Sequence, residues 1–308
     1  MQAEPDHLIE RAAARLQMAN GLVALEQPRP ERVANLGATT GPAPDRLAMP
    51  PSEIAPAAPG REPAAHSAAP RITLAQLVAA GMAITGSDRT RISEEYRIVT
   101  DRLHRAASAT SQPVRNLLMV TSARPGEGKS FTALNLAATV ARSGGRALLA
   151  DFDAGTRSLS LALGLIDSPG LRDLARDPAL HPQSLIVETE LPGLTLLPRG
   201  HSHAGRGLLA DAPAMTAVLE RLARRFPNHT IILDTSPTLA ISDPHALAPH
   251  VGQIALVIEA ERTQRAEVEA ALDLLRVCPT ITAVLNKARF SGRNTFGSYD
   301  AGYYTNAS

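Results

Sequence analysis

The chain has 308 residues, 44% of them apolar, and a formal net charge of +1. That is enough apolar material for a substantial core, and the near-neutral charge gives no electrostatic argument for a nucleic-acid partner. A single cysteine, Cys278, excludes an internal disulfide framework, and aromatics at 3% with no tryptophan require a core of Leu, Ile, Val and Ala.

In chain order, "HLIERAAARLQMANGLVAL" spaces Leu8, Ile9, Ala12, Leu16 and Met18 along one side of a helix, so residues 1–25 read as an amphipathic N-terminal helix. Its acids and its missing apolar stretch argue against a signal peptide. Residues 26–70 hold ten of the 24 prolines and carry no apolar period, which reads as an extended, flexible linker. Residues 71–112 return to helical spacing in two pieces, broken around "TGSDR". The longest apolar run, "ITLAQLVAAGMAIT", is shorter than the ~20 residues of a membrane helix, so a cytoplasmic location is expected.

From about residue 113 to 290 short apolar runs alternate with amphipathic helices. The runs are residues 116–121, 147–152, 194–198, 230–235, 254–259 and 282–286; the intervening helices begin near Lys129, Ala212 and Thr263. Unbroken apolar strands alternating with helices predict a parallel α/β sheet covered on both faces.

Directly after the first of these strands stands "ARPGEGKSF", the strongest motif in the chain. It fits the phosphate-binding loop with Ala123 at the first glycine position, followed by Gly128, Lys129 and Ser130. Gly126 and Gly128 let backbone N–H groups turn toward phosphate oxygens, Lys129 reaches the β- and γ-phosphates, and Ser130 offers a hydroxyl to Mg²⁺ at a helix N-terminus. Arg124, Pro125, Glu127 and Phe131 complete the expected nucleotide contacts. Of the 31 basic residues only Lys129 and Lys287 are lysine, a bias that marks positions where a compact ammonium is required.

Three carboxylates fall at the ends of strands. "ALLADFD" brings Asp151 and Asp153, and "TIILDTSP" brings Asp234. In an open parallel sheet these ends form the ligand crevice. Asp234 is placed to hold Mg²⁺ through water, whereas Asp151 and Asp153 could hold the ion or accept a proton from an incoming hydroxyl; the plain alternative for each is a helix cap. "VLNKA" ends the last strand with Asn286, a candidate reader of the adenine edge, and Lys287, which could lie along the base or ribose or simply face solvent. Arg289 occupies the place where a guanine-specific motif needs an Asp, so ATP is favoured. The tail, residues 291–308, holds three of the four tyrosines: Tyr299, Tyr303 and Tyr304.

The segments "NLLMVTSARPGEGKSFTALNLA", "LLADFDAG", "PGLRDL", "LTLLPRG", "IILDTSP", "ALVIEAERTQ" and "VLNKA", with "SEEYRIVTDRL" upstream, resemble the bacterial tyrosine kinases (BY-kinases), and most closely the autokinases encoded beside exosortase-type polysaccharide systems. The resemblance spans roughly residues 90–290. It implies a P-loop NTPase-like three-layer α/β/α fold with a mainly parallel central sheet, a helical or disordered N-terminal extension and a flexible C-terminal tail. It implies Mg·ATP-dependent autophosphorylation of Tyr299, Tyr303 and Tyr304 by a neighbouring subunit in a ring or dimer, with Lys129, Asp151, Asp153 and Asp234 as catalytic residues. The implied partners are a membrane polysaccharide co-polymerase, whose cytoplasmic segment activates the enzyme and recruits it to the inner membrane, and a cognate tyrosine phosphatase. A ParA/MinD-type ATPase switch and a weakly catalytic ATP-binding scaffold are the competing readings.

The chain departs from the family at Gly155, where many members have Arg, at Thr100 in the E-x-x-R-x-x-R oligomerisation motif that Glu94 and Arg97 begin, at Ser236, where proline is common, and in having only three tail tyrosines. Arg124 stands at the offset of the ParA/MinD signature lysine, five residues before Lys129, which suggests an arginine finger reaching a partner subunit; the plain alternative is a solvated loop arginine.

Overall fold

A computed structural model describes residues 23–25, 71–85, 90–108, 114–201 and 212–288. All lie in the unit built from residues 1–27 and 70–308; the second unit, residues 28–69, lies outside the described residues, as do most of the expected N-terminal helix and the tyrosine tail.

The strands are β1 (Val23–Leu25), β2 (Leu117–Ser122), β3 (Ala147–Phe152), β4 (Val187–Glu188), β5 (Leu194–Leu197), β6 (Thr230–Thr235), β7 (Gln253–Glu259) and β8 (Ile281–Asn286). They form one sheet in the order β1-β8-β7-β2-β6-β3-β5-β4, parallel throughout except for the short β4 against β5. The helices are α1 (Leu74–Ala79), α2 (Arg91–Ser108), α3 (Lys129–Arg142), α4 (Leu159–Ala162), α5 (Leu171–Arg176), α6 (Ala212–Arg225), α7 (Asp243–Leu247) and α8 (Arg265–Leu275).

The strands read as unbroken apolar runs because both faces are covered. Period-two alternation then sorts their side chains between two cores. Leu118, Val120, Leu149, Ile232 and Val257 join Leu77, Tyr96, Val99, Leu103 and Leu134 from α1, α2 and α3 on one face. Leu117, Met119, Leu148, Ile231 and Leu256 meet Met215, Leu219, Leu222, Ala271 and Leu275 from α6 and α8 on the other. Each fully buried Leu or Ile contributes roughly 1.5–3 kcal/mol before chain entropy is subtracted.

Two sequence expectations change here. Val23–Leu25 belong to β1, paired in parallel with Val284–Asn286, and do not end the N-terminal helix. After Gly21 an apolar Val-Ala-Leu triplet satisfies the open edge of β8 better than it extends a helix. Within residues 71–112 the first helix stops at Ala79, because Gly81 takes a φ of 108° that redirects the backbone. The segment beyond it is tied down by Asn135 on α3. Its Oδ1 accepts from the Ala83 N–H at 2.7 Å, and its Nδ2 donates to the Gly81 carbonyl at 3.0 Å. The pre-core segment is thereby fastened to the helix that carries the phosphate loop. Among the described residues no helix is long and apolar enough to cross a membrane.

Candidate active site

The order β7-β2-β6-β3 brings the carboxyl ends of four strands together. The loop after β2 turns through Gly126 (φ 87°) and Gly128 (φ 96°) before α3 starts at Lys129. Nothing lies within 4 Å of where a Gly126 Cβ would stand, so glycine is needed there for its left-handed conformation and not for space. The first turn of α3 points its free N–H groups, and the positive end of its dipole, at the loop.

Lys129 is largely buried, and its Nζ donates to Asp153 Oδ2 at 2.6 Å. Burial disfavours its charge, but Asp234, Asp153 and Asp151 more than compensate, so the ammonium is held more tightly protonated than usual. Burial would likewise raise Asp153, yet Lys129, the Gly155 N–H (2.9 Å) and the Ser236 hydroxyl (2.8 Å) pull it below the usual carboxylate range. Asp151 has both oxygens engaged by backbone: Oδ1 accepts from the Asp153 N–H at 3.1 Å and Oδ2 from the Ser160 N–H at 2.7 Å. Its pKa is raised, chiefly by burial.

Asp234 differs from both. It is fully buried, neither carboxylate oxygen completes a hydrogen bond, and burial pushes its pKa up to about 7 against the opposing pull of Lys129. A bare carboxylate at the end of β6, with the Ser130 hydroxyl close by, fits a cation-binding role. Among the described residues no group of three or more His, Cys, Asp and Glu forms a metal cage. One carboxylate beside one hydroxyl could hold Mg²⁺, which takes one or two protein ligands and completes its shell with phosphate oxygens and water.

The other expected contacts are placed differently. Asn286 is buried; its Nδ2 donates to the Glu127 carbonyl at 2.8 Å and its Oδ1 accepts from the Lys287 N–H at 2.9 Å, so its amide braces the loop. Lys287 donates from Nζ to the Gly126 carbonyl at 2.6 Å and pairs with Glu259 at 3.2 Å. Both lysines of the chain thus converge on one loop. The buried Glu127 accepts from the Arg124 N–H at 2.6 Å and from the Thr263 hydroxyl. The Arg124 guanidinium is half exposed and lies 3.4 Å from Glu267 on α8. Pro125 lines a small cleft beside the loop with Gly126 and Glu259. Phe131 faces away from the loop and packs its ring 6.3 Å from that of Tyr96. Tyr299, Tyr303 and Tyr304 lie outside the described residues.

Sequence reasoning gave no role to Arg199 or a structural use to Ser236. Arg199, at the end of β5 and 8% exposed, donates to the carbonyls of Asp153 (3.2 Å) and Gly155 (2.8 Å), holding the turn that presents Asp153. The signal was an Arg at the carboxyl end of a strand bordering the crevice. Ser236 stands where proline is common and orients Asp153 through its hydroxyl, while its carbonyl accepts from Thr121. Thr100 faces the body of the protein and is buried, and Arg97 pairs along its own helix with Glu94 at 2.8 Å.

No protein-family profile matches the chain. Comparison with characterised proteins finds the tyrosine-protein kinase ptk of Acinetobacter johnsonii, 30% identical over 192 residues, covering 62% of this chain and 25% of that protein. Bacterial tyrosine-protein kinases are homologues of this chain. The succinoglycan biosynthesis transport protein ExoP of Rhizobium meliloti is 30% identical over 193 residues, 60% of this chain and 24% of that protein. The chain therefore spans about a quarter of the length of these two relatives. Among solved structures, the kinase domain of the Escherichia coli tyrosine kinase ETK superposes with a TM-score of 0.52 at 26% identity, over 67% of this chain and 80% of that one.

Proposed function

We propose that this chain is an ATP-dependent protein-tyrosine kinase that transfers the γ-phosphoryl group to Tyr299, Tyr303 and Tyr304 of a neighbouring copy. The observation that carries the reading is the convergence of Lys129, Asp153 and the bare Asp234 carboxylate at a glycine-shaped phosphate loop. In the same chain, tyrosines almost absent elsewhere are concentrated in the tail.

The loop N–H groups, the start of α3 and Lys129 would bind the phosphates. Ser130 and Asp234 would hold Mg²⁺, with Asp151 close behind as the organiser of the adjoining turn. When bound, the ion neutralises charge on the phosphates and orients the transferred group. Asp153 is the better placed base, because both Asp151 oxygens already accept backbone N–H groups. As Lys129 turns to the phosphates, Asp153 Oδ2 is released to take the phenol proton. The phenolate oxygen forms the new P–O bond, the bond from the γ-phosphorus to the bridging oxygen breaks, and ADP leaves. From Phe290 to Tyr304 the chain extends at most about 50 Å, enough to reach a neighbour's site.

The ExoP name and the sequence motifs support a role in exopolysaccharide polymerisation or export, within the exosortase-type subgroup. The partners of this reading are a membrane co-polymerase whose cytoplasmic segment activates the kinase and brings it to the inner membrane, a tyrosine phosphatase, and further copies of the chain in a ring or dimer. Each phosphate adds about −1.5 to −2 charges, so a fully modified tail of about −5 would loosen such an assembly. Arg124, held by Glu267 in the single chain, belongs to this proposal as a group that exchanges that partner for a neighbour's phosphates.

The test mixes two variants with Mg·ATP: a catalytically disabled Lys129→Met chain with an intact tail, and an active chain in which Tyr299, Tyr303 and Tyr304 are all Phe. Phosphotyrosine on the Lys129→Met tail is expected. ATP hydrolysis with no phosphotyrosine on either chain would replace the kinase reading with the ATPase switch, and neither activity would leave the scaffold.

A further inference from the structure

Beside the turn that presents Asp153, two guanidinium groups come together without a counter-ion. Arg199 is fixed by its bonds to the carbonyls of Asp153 and Gly155. Arg172, on α5, is fastened to the same place through its backbone, its N–H donating to the Arg199 carbonyl at 3.0 Å. The join is close, because a Cβ on Gly170, just before α5, would collide with the Pro198 carbonyl. Glycine at that position lets α5 seat against the end of β5, and this brings Arg172 to Arg199.

Neither side chain is satisfied. The Nε of each is buried without an acceptor, and among the described residues neither guanidinium has a carboxylate within ion-pair distance. Burial and the charge of Arg199 lower the Arg172 pKa against the pull of Asp151, Asp243 and Asp173. Two of those acids are already committed. Asp151 accepts the N–H groups of Asp153 and Ser160, and Asp173 accepts that of Gly170 and pairs with His201. Asp243, at the start of α7, feels both Arg172 and Asp153, which places the arginine and the proposed base in one electrostatic neighbourhood. Like charges held together in a half-buried place are unfavourable until an anion joins them. Arg199 is occupied with backbone carbonyls, so Arg172 is the group left to take that anion.

We propose that Arg172 binds the carboxylate of the residue that follows the acceptor tyrosine, and so decides which tail tyrosine is modified first. The inference rests on the kinase reading and names the acceptor determinant of that same site. Nucleotide phosphates have Lys129 and the loop N–H groups, which leaves the incoming peptide as the source of the anion at Arg172. Residues 291–308 contain one acid, Asp300, and it directly follows Tyr299; Tyr303 and Tyr304 have no acid beside them. A planar guanidinium takes a carboxylate through two parallel hydrogen bonds, which fixes the orientation of the peptide as well as its affinity. With Asp300 held at Arg172, the Tyr299 hydroxyl is the one kept near Asp153.

The test uses the full chain with Tyr299, Tyr303 and Tyr304 changed to Phe and Asp300→Asn, so that its own tail neither accepts phosphate nor competes. The acceptor is a synthetic peptide of residues 296–308, with Asp300 or with Asn in its place. Tyr299 of the Asp300 peptide is expected to be phosphorylated first. Asn in the peptide, or Arg172→Ala in the enzyme, is expected to raise the peptide KM about tenfold and to abolish the preference for Tyr299; the two changes together are expected to do no more than either alone, with KM for ATP unchanged. Fluorescence anisotropy of the same peptides on the Mg·ADP-loaded chain is expected to show the same tenfold, non-additive loss of binding, and it requires no phosphoryl transfer. Additive losses, equal binding of the two peptides to the Arg172 chain, or a rise in KM for ATP in Arg172→Ala would each overturn the proposal, the last by assigning Arg172 to the nucleotide. The peptide change leaves the enzyme untouched, so a folding defect in Arg172→Ala cannot imitate the result. Peptide binding that depends on Asp300 and Arg172 without any transfer would defeat the kinase reading alone, whereas transfer indifferent to Asp300 would defeat this proposal alone.

Discussion

Lys129 and Asp153 form a 2.6 Å ion pair between the first residue of α3 and the residue just beyond β3, and in the proposed kinase reading the nucleotide phosphates would compete for the same ammonium. Asp153→Asn removes the competitor and the base together. It is expected to bind Mg·ADP at least as tightly as the parent in calorimetry while losing about 100-fold or more in phosphoryl transfer. Lys129→Met is expected to lose both. A parallel fall in binding and transfer for Asp153→Asn would mean that the pair only supports the loop.

Asp234 sets a pH dependence. Its folded pKa of about 7 lies above the 3.8 of an ordinary Asp, so the protonated form is favoured by folding, and that contribution is lost as pH rises through 7. Asp234→Asn keeps the neutral shape at every pH. In the absence of nucleotide it is expected to melt above the parent at pH 8, by an amount worth a few kcal/mol, with the gap closing toward pH 4. A gap independent of pH would show that Asp234 is already ionised in the folded chain. Mg·ADP is expected to displace the proton, detectable near pH 6.5 as a binding heat that varies with the ionisation enthalpy of the buffer.

Lys287 and Asn286 grip successive carbonyls of the phosphate loop, those of Gly126 and Glu127. Removing the partly exposed Lys287 with Ala is expected to raise KM for ATP about tenfold with little change in melting temperature. Asn286→Ala leaves the buried Glu127 carbonyl unpaired and is expected to cost about 1–3 kcal/mol of stability as well. An unchanged KM in both would show that the loop holds its shape without β8.

Ser236 reaches both Asp153 Oδ1 and the Ala154 N–H, at 2.8 and 3.1 Å. Ser236→Ala is expected to lower kcat about tenfold and to leave KM for ATP near its starting value, since the phosphate contacts are untouched. A change confined to KM would contradict this positioning role.

The strands and the phosphate loop were legible in the sequence because their signals are local: apolar runs between turns, and a glycine-lysine-serine string between a strand and a helix. The six strands expected from residue 116 onward lie within one residue of the observed ones. Partnerships were not legible where they depend on strand order. Asn286 and Lys287 end β8, two strands from β2, and only the sheet order shows that β8 reaches back to the loop that follows β2. Arg199 is hidden for the same reason, since β5 meets β3 through pairing that neither segment announces. Asp151 and Asp153 looked equivalent at a spacing of two, and backbone N–H groups separate them by occupying both oxygens of one.

Phosphopeptide mapping after incubation with Mg·ATP tests the central claim most directly, comparing the parent chain with Lys129→Met. The expected result is phosphate on Tyr299, Tyr303 and Tyr304 of the parent and on none of them in the variant. Steady release of inorganic phosphate by a parent chain whose tail tyrosines stay unmodified would contradict it.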